Sequence, residues 1–300
     1  MRIAVTGSTG LVGESVVSYF RSAGCQVTRF VRPGKGMSLA VDGDVIAWDP
    51  VSKKMDASLL EGYDAVIHLA GANIAQQRWT LSYKKLILSS RVEGTQFLSE
   101  VISNLENPPR VLLSASAIGY YGYITPPTCV DESSNMGIGF LAEVCEQWEK
   151  ASQSAQREGI RVVRTRFGVV LSRKGGALAK MLPVFRLGLG GKLGSGRQMI
   201  SWIALEEIPR IMEHLIHKED ISGPVNVVTP NPVSNEGFTK VLAGCLNRKA
   251  ILPVPSFMIR WLLGEMGQAL LLDGAAVLPK RLMESGYVFR FPDLESALGE

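Results

Sequence analysis

The chain has 300 residues, of which 46% are hydrophobic and 20% are charged, a composition typical of a globular protein with one large or two modest domains. Its 32 basic and 28 acidic residues give a net charge of only +4 and form no basic block, which argues against nucleic acid as a partner. Charged residues such as Glu265 and Asp273 interrupt the apolar stretches before they reach the length of a membrane span. The four cysteines are widely spaced without a CxxC pair, and no signal-peptide pattern precedes the first glycine turn. We therefore expect a cytoplasmic protein with reduced thiols and no membrane partner.

Short apolar strands alternate with amphipathic helices along much of the chain. Strands are predicted at 2–7, 26–31, 45–48, 65–69, 110–116, 160–168 and 225–228. Helices are predicted at 11–23, 81–102, 140–158 and 206–218. Strands rich in Val, Ile and Leu that alternate with helices belong to parallel sheets covered on both faces. The pattern predicts an α/β fold with a Rossmann-type doubly wound parallel sheet.

The composition changes after Leu171. Residues 173–198 contain seven glycines, and prolines interrupt short helical patterns from Pro230 onward. We therefore predict a Rossmann domain over residues 1–168, with core elements returning at about 201–228. Residues 169–200 and 229–300 are assigned to a smaller C-terminal domain.

A glycine-rich turn, TGSTGLVG at 6–13, follows the first strand and opens the first helix. Gly7 allows a tight turn, Gly10 lets a pyrophosphate approach the backbone, and Gly13 lets the helix pack on the strand. The free N–H groups at the start of the helix would then face the phosphates. The predicted dinucleotide contacts in this turn also include Thr9, Leu11 and Val12. The alternative is a strand-to-helix turn that binds nothing.

The end of the second strand indicates which dinucleotide is bound. An acidic residue there accepts hydrogen bonds from a free ribose 2′-OH, whereas an arginine suits a 2′-phosphate. Val31, Arg32 and Lys35 lie in a stretch without Asp or Glu, so NADP(H) is the predicted cofactor and Arg32 the predicted clamp. The alternative is a solvated basic turn. Trp48 closes the third strand, where adenine rests in such folds, and Asp49 either meets adenine or caps the next turn.

Several motifs resemble the short-chain dehydrogenase/reductase superfamily, in its extended, epimerase-like branch. These are the turn at 6–13, HLAG at 68–71, RVEGT at 91–95, SAS at 114–116 and YYG at 120–122. The resemblance implies that the cofactor passes along Leu69, Ala70 and Gly71, and that Arg91 stands where the branch usually has a cofactor-side asparagine. Ser116 matches the catalytic serine.

A second set of motifs extends the resemblance over nearly the whole chain. RW at 78–79, WE at 148–149, PVFRLGLGG at 183–191, GSGRQ at 194–198 and LPKRL at 278–282 are similar to "epimerase family" proteins of the YfcH and SDR39U1 type. That atypical group has a small C-terminal domain and no established substrate.

The resemblance breaks at the catalytic helix. Active members of the superfamily carry YxxxK there, in which the lysine lowers the pKa of the tyrosine. Phe140 and Val144 occupy those two positions, so the standard chemistry is absent. Ser116 and Tyr120 are the remaining catalytic candidates, Ser116 as a hydrogen-bond donor and Tyr120 near the carboxyl end of its strand. Aromatic packing is the alternative for Tyr120.

The basic glycine-rich segment is predicted to hold the substrate. Arg186 and Arg197, with Lys192, would bind an anionic group, and Trp202 with Met199 would form an apolar wall. Because its glycines add little packing, we expect this segment to become ordered only when a ligand binds. The alternative is a mobile basic loop. His214 and His217 share a helix face without a third ligand, so no metal site is predicted.

The sequence is consistent with two functions. The first is an NADP(H)-dependent, epimerase-like oxidoreductase acting on a small, anionic molecule. The second is a binding or regulatory protein that keeps NADP(H) but has lost catalysis together with the tyrosine and the lysine. A third reading, RNA association, lacks the required charge and aromatic pattern.

Overall fold

The computed structural model describes residues 1–32 and 44–299. The strands, labelled in chain order, are β1 (Arg2–Thr6), β2 (Gln26–Val31), β3 (Val45–Asp49), β4 (Lys54–Met55), β5 (Ala65–His68), β6 (Val111–Ala117), β7 (Cys129–Val130), β8 (Arg161–Phe167), β9 (Val169–Leu171), β10 (Met199–Ile200), β11 (Trp202–Ala204), β12 (Gly223–Val227), β13 (Val233–Ser234) and β14 (Ala276–Val277). The helices are α1 (Leu11–Ser22), α2 (Leu81–Ser103), α3 (Phe140–Lys150), α4 (Gln153–Arg157), α5 (Gly176–Arg186), α6 (Glu207–His217), α7 (Asn235–Cys245), α8 (Ser256–Gly267), α9 (Lys280–Glu284) and α10 (Leu294–Leu298).

Eight strands form the central sheet in the order β12-β8-β6-β5-β1-β2-β3-β4. Every neighbouring pair is parallel except β3 and β4 at the edge. The strand order reverses between β1 and β5, where Thr6 pairs with His68. Ligands bind outside the carboxyl ends of the strands at such a switch point. The predicted doubly wound parallel sheet is confirmed.

Alternate residues of each strand enter two separate cores. Ile3 and Val5 pack toward α1 and α6, whereas Ala4 between them packs toward α2 and α4. All three side chains are fully buried. Burial on both faces explains why these strands have continuous apolar runs rather than an alternation of polar and apolar residues. The segment 203–227 contributes to the first core, on the α1 side of the sheet.

The helix predicted over 140–158 is two helices. α3 ends at Lys150, and α4 begins at Gln153. Ser152 lies between them, fully buried, with its hydroxyl donating to the Glu149 carbonyl at 2.8 Å. A serine hydroxyl that binds a backbone carbonyl competes with helical hydrogen bonds, and this interrupts the helix.

A third core lies in the C-terminal part of the chain. It joins α5, α7 and α10 through Leu182, Phe238 and Leu298. Trp202 is 0% exposed and packs in this core. The prediction that Trp202 forms a wall of the substrate pocket is therefore wrong, because its indole presents no surface to a ligand.

The glycine-rich segment is ordered by contacts within the chain. The Gly194 N–H donates to the Val254 carbonyl, and the Val254 N–H donates to the Lys192 carbonyl. A Cβ on Gly191 would lie 1.9 Å from the Leu252 carbonyl oxygen, so glycine is required there for close backbone packing. The expectation that this segment needs a ligand for its order is wrong. Its glycines permit a tight backbone interface instead.

None of the helices in the described ranges combines the length and apolar composition needed to cross a bilayer.

Candidate functional site

The glycine-rich turn lies at the carboxyl end of β1, beside the segment that follows β5. Gly7 has φ +64°, and a Cβ there would lie 2.7 Å from the carbonyl carbon of Leu69. A Cβ on Gly13 would lie 2.1 Å from the Gly7 carbonyl oxygen, so the start of α1 depends on a glycine for its packing. A Cβ on Gly10 would contact only that same oxygen, at 3.4 Å. The backbone at Gly10 is therefore open on the side away from the turn.

The first turn of α1 has free donors. Its N-cap residue is Gly10, and no side chain caps the helix. The N–H groups at the start of a helix have no partner within the helix, and the helix dipole adds positive potential. Leu11 and Val12 are half-buried and Thr9 is exposed, so this backbone borders the crevice. The arrangement can bind an anionic group such as a diphosphate.

A buried hydrogen-bond chain anchors this turn to the helices behind it. The Thr6 hydroxyl oxygen accepts from the N–H groups of Leu69 and Ala70, at 3.1 and 3.3 Å. Its proton therefore goes to Nδ1 of His68, 2.7 Å away. The opposite nitrogen, Nε2, carries the ring proton and donates to the Thr95 hydroxyl at 2.9 Å. His68 is thus the neutral Nε2–H tautomer.

The protonation state of His68 follows from its burial. The imidazole is 0% exposed, and desolvation lowers its pKa to about 4. The Thr95 hydroxyl also accepts from the indole N–H of Trp148 on α3, at 2.9 Å. His68 therefore links the dinucleotide turn to α2 and α3 through neutral hydrogen bonds and does not act as an acid or a base.

The ends of β2 and β3 lie next to each other. Arg32 is exposed, and its charge contributes to lowering the pKa of Asp49, which is lowered mainly by the Ser52 hydroxyl. Asp49 accepts from Val51 and Ser52, so it caps the following turn. Trp48 is only 3% exposed and packs in the core. Because the side chain is buried, the predicted proximity of Trp48 to adenine would involve its backbone. Lys35 lies outside the described residues.

Phe140 and Val144, which the resemblance aligns with the tyrosine and lysine of active relatives, both lie in apolar packing. Val144 is 3% exposed and belongs to an apolar cluster with Tyr83 and Ile87 of α2. Phe140 joins this cluster and makes an edge-to-face contact with Trp79, with ring centroids 5.2 Å apart. Both residues therefore stabilise the α2–α3 interface and supply no proton or charge.

Ser116 belongs to a buried polar network at the carboxyl end of β6. Its hydroxyl donates to Oε1 of Glu149 at 2.7 Å. The guanidinium of Arg166 on β8 holds the same carboxylate with two hydrogen bonds, at 2.7 and 2.9 Å. An ionised carboxylate accepts only, so the Ser116 proton is already committed. The prediction that Ser116 donates a hydrogen bond to substrate is therefore wrong in this arrangement. Its hydroxyl oxygen can still accept a hydrogen bond.

Tyr120 and Tyr121 lie against Arg166 in different ways. The Tyr121 hydroxyl accepts from Arg166 at 2.9 Å and donates to Asn226 at 2.8 Å. Burial raises its pKa to about 12, which removes it as a proton donor at neutral pH. Tyr120 is half-buried, and its ring covers the guanidinium, 3.5 Å from Cζ to the ring centroid. Its hydroxyl bonds to no described residue.

Arg91 reaches from α2 toward both Gly71 and α3. A Cβ on Gly71 would lie 3.4 Å from the Arg91 Cζ, and the guanidinium lies over the Trp148 ring at 5.0 Å. Cys145 of α3 is buried, and desolvation raises the pKa of its thiol to about 12. Cys145 is therefore an unreactive thiol, and Arg91 brings a positive charge to this side of the crevice.

The basic residues predicted to bind substrate differ in their partners. Arg186 and Arg197 are exposed and make no ion pair with any described residue. The Lys192 ammonium lies 3.6 Å from Glu236. His214 bonds to the Ser285 hydroxyl, and the part of the chain described contains no group of three or more His, Cys, Asp or Glu able to hold a metal.

The pairing of Glu149 with Arg166 was not predicted from the sequence. One signal was available, because Arg166 interrupts a strand predicted to be buried, and a buried arginine requires a carboxylate partner. The sequence does not identify that partner, since Glu149 lies 17 residues away on another element.

Comparisons with known proteins agree with this geometry. The model of the NAD dependent epimerase/dehydratase family matches residues 3–227, and that of a domain of unknown function, DUF1731, matches residues 254–300. The chain is 40% identical over 297 residues to the epimerase family protein MT2273 of Mycobacterium tuberculosis, covering 99% of this chain and 96% of that protein. It is 34% identical over 303 residues to human epimerase family protein SDR39U1, covering 100% and 99% of the two chains.

Solved structures also resemble the whole chain. The crystal structure of human SDR39U1 (isoform 2), which contains NADPH, superposes with a TM-score of 0.88 at 32% identity and covers 100% of this chain and 98% of that one. A nucleoside-diphosphate sugar epimerase from Corynebacterium glutamicum gives a TM-score of 0.80 at 33% identity, covering all of this chain but 58% of that protein.

Proposed function

Because the chain belongs to the NAD-dependent epimerase/dehydratase family, we propose that it binds NADP(H) at the switch point of its sheet and uses it as an epimerase-like oxidoreductase. The observation that carries the proposal is the uncapped start of α1 at Gly10, open toward the crevice. The similar human protein crystallised with NADPH supports the same cofactor.

The residues present fit a dinucleotide phosphate. The N–H groups at the start of α1 would hold the diphosphate, while Leu69, Ala70 and Gly71 form the opposite side of the crevice. Arg32 supplies the cation suited to a 2′-phosphate. The Asp49 carboxylate is occupied by the turn that it caps, so it does not compete as a receptor for a free ribose hydroxyl.

A bound nicotinamide would supply or accept a hydride. Among the catalytic candidates, Tyr120 has the hydroxyl without a partner among the described residues, next to the strand end that carries Ser116. We assign Tyr120 as the proton donor, because its hydroxyl has no other partner among the described residues and its ring is held over the Arg166 guanidinium. Ser116, whose proton is held by Glu149, would accept a hydrogen bond from a substrate hydroxyl.

A second function is favoured by the packing of Phe140 and Val144. Both side chains are part of the α2–α3 interface, at the two positions that the resemblance aligns with the tyrosine and lysine of active relatives. A catalytically silent NADP(H)-dependent binding or regulatory protein would have this arrangement.

A substrate panel separates the two functions. The NADPH-loaded protein is mixed with sugars, nucleotide sugars and small carbonyl compounds, and the loss of nicotinamide absorbance is recorded. The oxidoreductase predicts that at least one compound oxidises NADPH and that Tyr120→Phe slows that reaction about 100-fold or more. Tyr123→Phe is the matched control, because Tyr123 is 51% exposed, and it should react normally. No oxidation across the panel, with NADPH still bound, would favour the binding protein.

A further inference from the structure

Large apolar side chains are concentrated on one part of the surface of the C-terminal domain. Val184, Leu187 and Leu189, at the end of α5 and just after it, are 46%, 74% and 53% exposed. Ile251 and Leu252, in the segment before α8, are 69% and 48% exposed. Single exposed apolar residues are common, whereas several that adjoin one another mark a surface that binds something.

Backbone contacts bring these two segments together. The Leu252 N–H donates to the Gly190 carbonyl at 3.3 Å. Nε of Arg248 donates to the Arg186 carbonyl at 2.9 Å. The end of α5 and the segment before α8 therefore share one surface.

The start of α8 extends this surface. Its exposed apolar side chains follow a spacing of i, i+1, i+4 and i+5, which places them on one face of a helix. They are Phe257, Met258, Trp261 and Leu262, with Trp261 77% exposed, while Ile259 on the opposite face is buried. Together with the five residues above they form the α8 patch, nine large apolar side chains in contact with solvent.

The segments that carry the α8 patch have a single sign of charge. Residues 180–194 and 246–264 contain six basic residues and no acidic one, although the whole chain has a net charge of only +4. The basic residues are Lys180, Arg186, Lys192, Arg248, Lys249 and Arg260. The patch is therefore apolar with positive charges around it.

Acidic side chains that border the α8 patch are already paired. Glu265 lies 2.7 Å from the ammonium of Lys84. Glu236 lies 3.6 Å from Lys192 and 3.1 Å from Lys240. These carboxylates leave the positive charge of Arg186, Arg248, Lys249 and Arg260 without an ion-pair partner among the described residues.

This combination favours a lipid surface over a second copy of the chain. A second copy would bring the same six basic residues against the first, and like charges at an interface oppose association. A bilayer with anionic lipids offers hydrocarbon to the apolar side chains and negative headgroups to the basic ones. Tryptophan and arginine are also suited to the boundary between hydrocarbon and water, because each has an apolar part and a polar end.

We propose that the α8 patch attaches the protein to the surface of a bilayer that contains anionic lipids. We expected no membrane partner because no apolar stretch is long enough to span a bilayer, but a helix that lies in the headgroup region needs no such stretch. The attachment goes beyond the proposed function and requires neither cofactor nor substrate.

The experiment sediments the full chain with vesicles of phosphatidylcholine alone and with vesicles of phosphatidylcholine and phosphatidylglycerol in equal parts. Binding to the anionic vesicles should be at least about tenfold stronger and should weaken as salt is added. Replacing both Phe257→Ser and Trp261→Ser should weaken it about tenfold or more, because two of the largest apolar side chains are lost. Tryptophan emission should shift to shorter wavelength with anionic vesicles, and Trp261→Phe should remove that shift while it still binds.

Val288→Ser is the matched control, since Val288 is 80% exposed outside the α8 patch, and it should bind within about twofold of wild type. The proposal is overturned if wild type does not bind anionic vesicles, if it binds phosphatidylcholine equally well, or if the double serine variant binds normally. A dimer in light scattering without vesicles, lost in the double serine variant, would also overturn it, because the patch is then covered by a second copy. NADPH affinity should be the same in the double serine variant and the wild type, so these outcomes are independent of the proposed function.

Discussion

Replacing Arg166 tests the buried network most severely. The Arg166 side chain is 3% exposed and that of Glu149 is 12%, and two hydrogen bonds join them. Arg166→Met leaves the Glu149 carboxylate buried with only the Ser116 hydroxyl as a donor. Breaking a buried ion pair by removing one partner lowers the free energy of unfolding by about 3–5 kcal/mol. We expect that loss in urea denaturation followed by circular dichroism.

Arg164→Met provides a matched control on the same strand. Arg164 donates to the Glu149 carbonyl, the Ser152 hydroxyl and the Gln156 amide oxygen, all of them uncharged acceptors. Because no carboxylate is left unpaired, its replacement should lower the free energy of unfolding by only about 1–2 kcal/mol.

A double-mutant cycle isolates the ion pair itself. Arg166→Met and Glu149→Met together remove both charges, so the double variant should be less destabilised than the sum of the two single variants by about 2 kcal/mol or more. Additivity within about 0.5 kcal/mol would refute the pairing as the source of the effect. Equal destabilisation by Arg166→Met and Arg164→Met would refute it as well.

Two further perturbations examine the dinucleotide turn and the residue behind it. Gly10→Ala should keep the thermal stability of the protein but weaken NADPH binding measured by calorimetry. Gly13→Ala should also lower the melting temperature, because its Cβ would lie 2.1 Å from a carbonyl oxygen. Equal melting temperatures of the two variants would contradict this. His68 stays neutral in the folded protein down to about pH 4, so only the unfolded chain gains its proton as the pH falls below about 6.5. As the pH falls through that window, His68 should therefore lower the free energy of unfolding by about 1.4 kcal/mol per pH unit. Urea titrations of His68→Asn at several pH values should lack this contribution. Parallel pH profiles of the wild type and the variant would contradict it.

Local pattern was sufficient for most of the central sheet and for several of the helices that cover it. β2 has the predicted bounds, 26–31, and α6 differs from the prediction by one residue at each end. Both are set by contacts close in sequence, namely an apolar run between turn residues and a 3.6-residue period. The glycine spacing at 6–13 likewise predicted the turn that the structure has, because a Cβ at Gly7 or Gly13 would meet backbone atoms.

Contacts between distant segments could not be predicted in the same way. Trp48 was placed near the cofactor because it closes a strand, and Trp202 near the substrate because it follows the glycine-rich segment. The side chains of both are buried in apolar cores formed with helices far along the chain. The order of the glycine-rich segment comes from Val254, about 60 residues later. The Ser116 hydroxyl donates its proton to Glu149, and the Glu149 carboxylate is held by Arg166 of another strand. Each of these depends on which segments meet in space.

The central claim is that the crevice binds NADP(H), with Arg32 selecting its 2′-phosphate. Calorimetric titration of the wild-type protein and of Arg32→Ala with NADPH and NADH tests it most directly. NADPH should bind more tightly than NADH to the wild type, and Arg32→Ala should reduce that difference by about 1–3 kcal/mol. Equal affinities of the wild type for NADPH and NADH would contradict the selection by Arg32, and absence of binding by both would contradict the site itself.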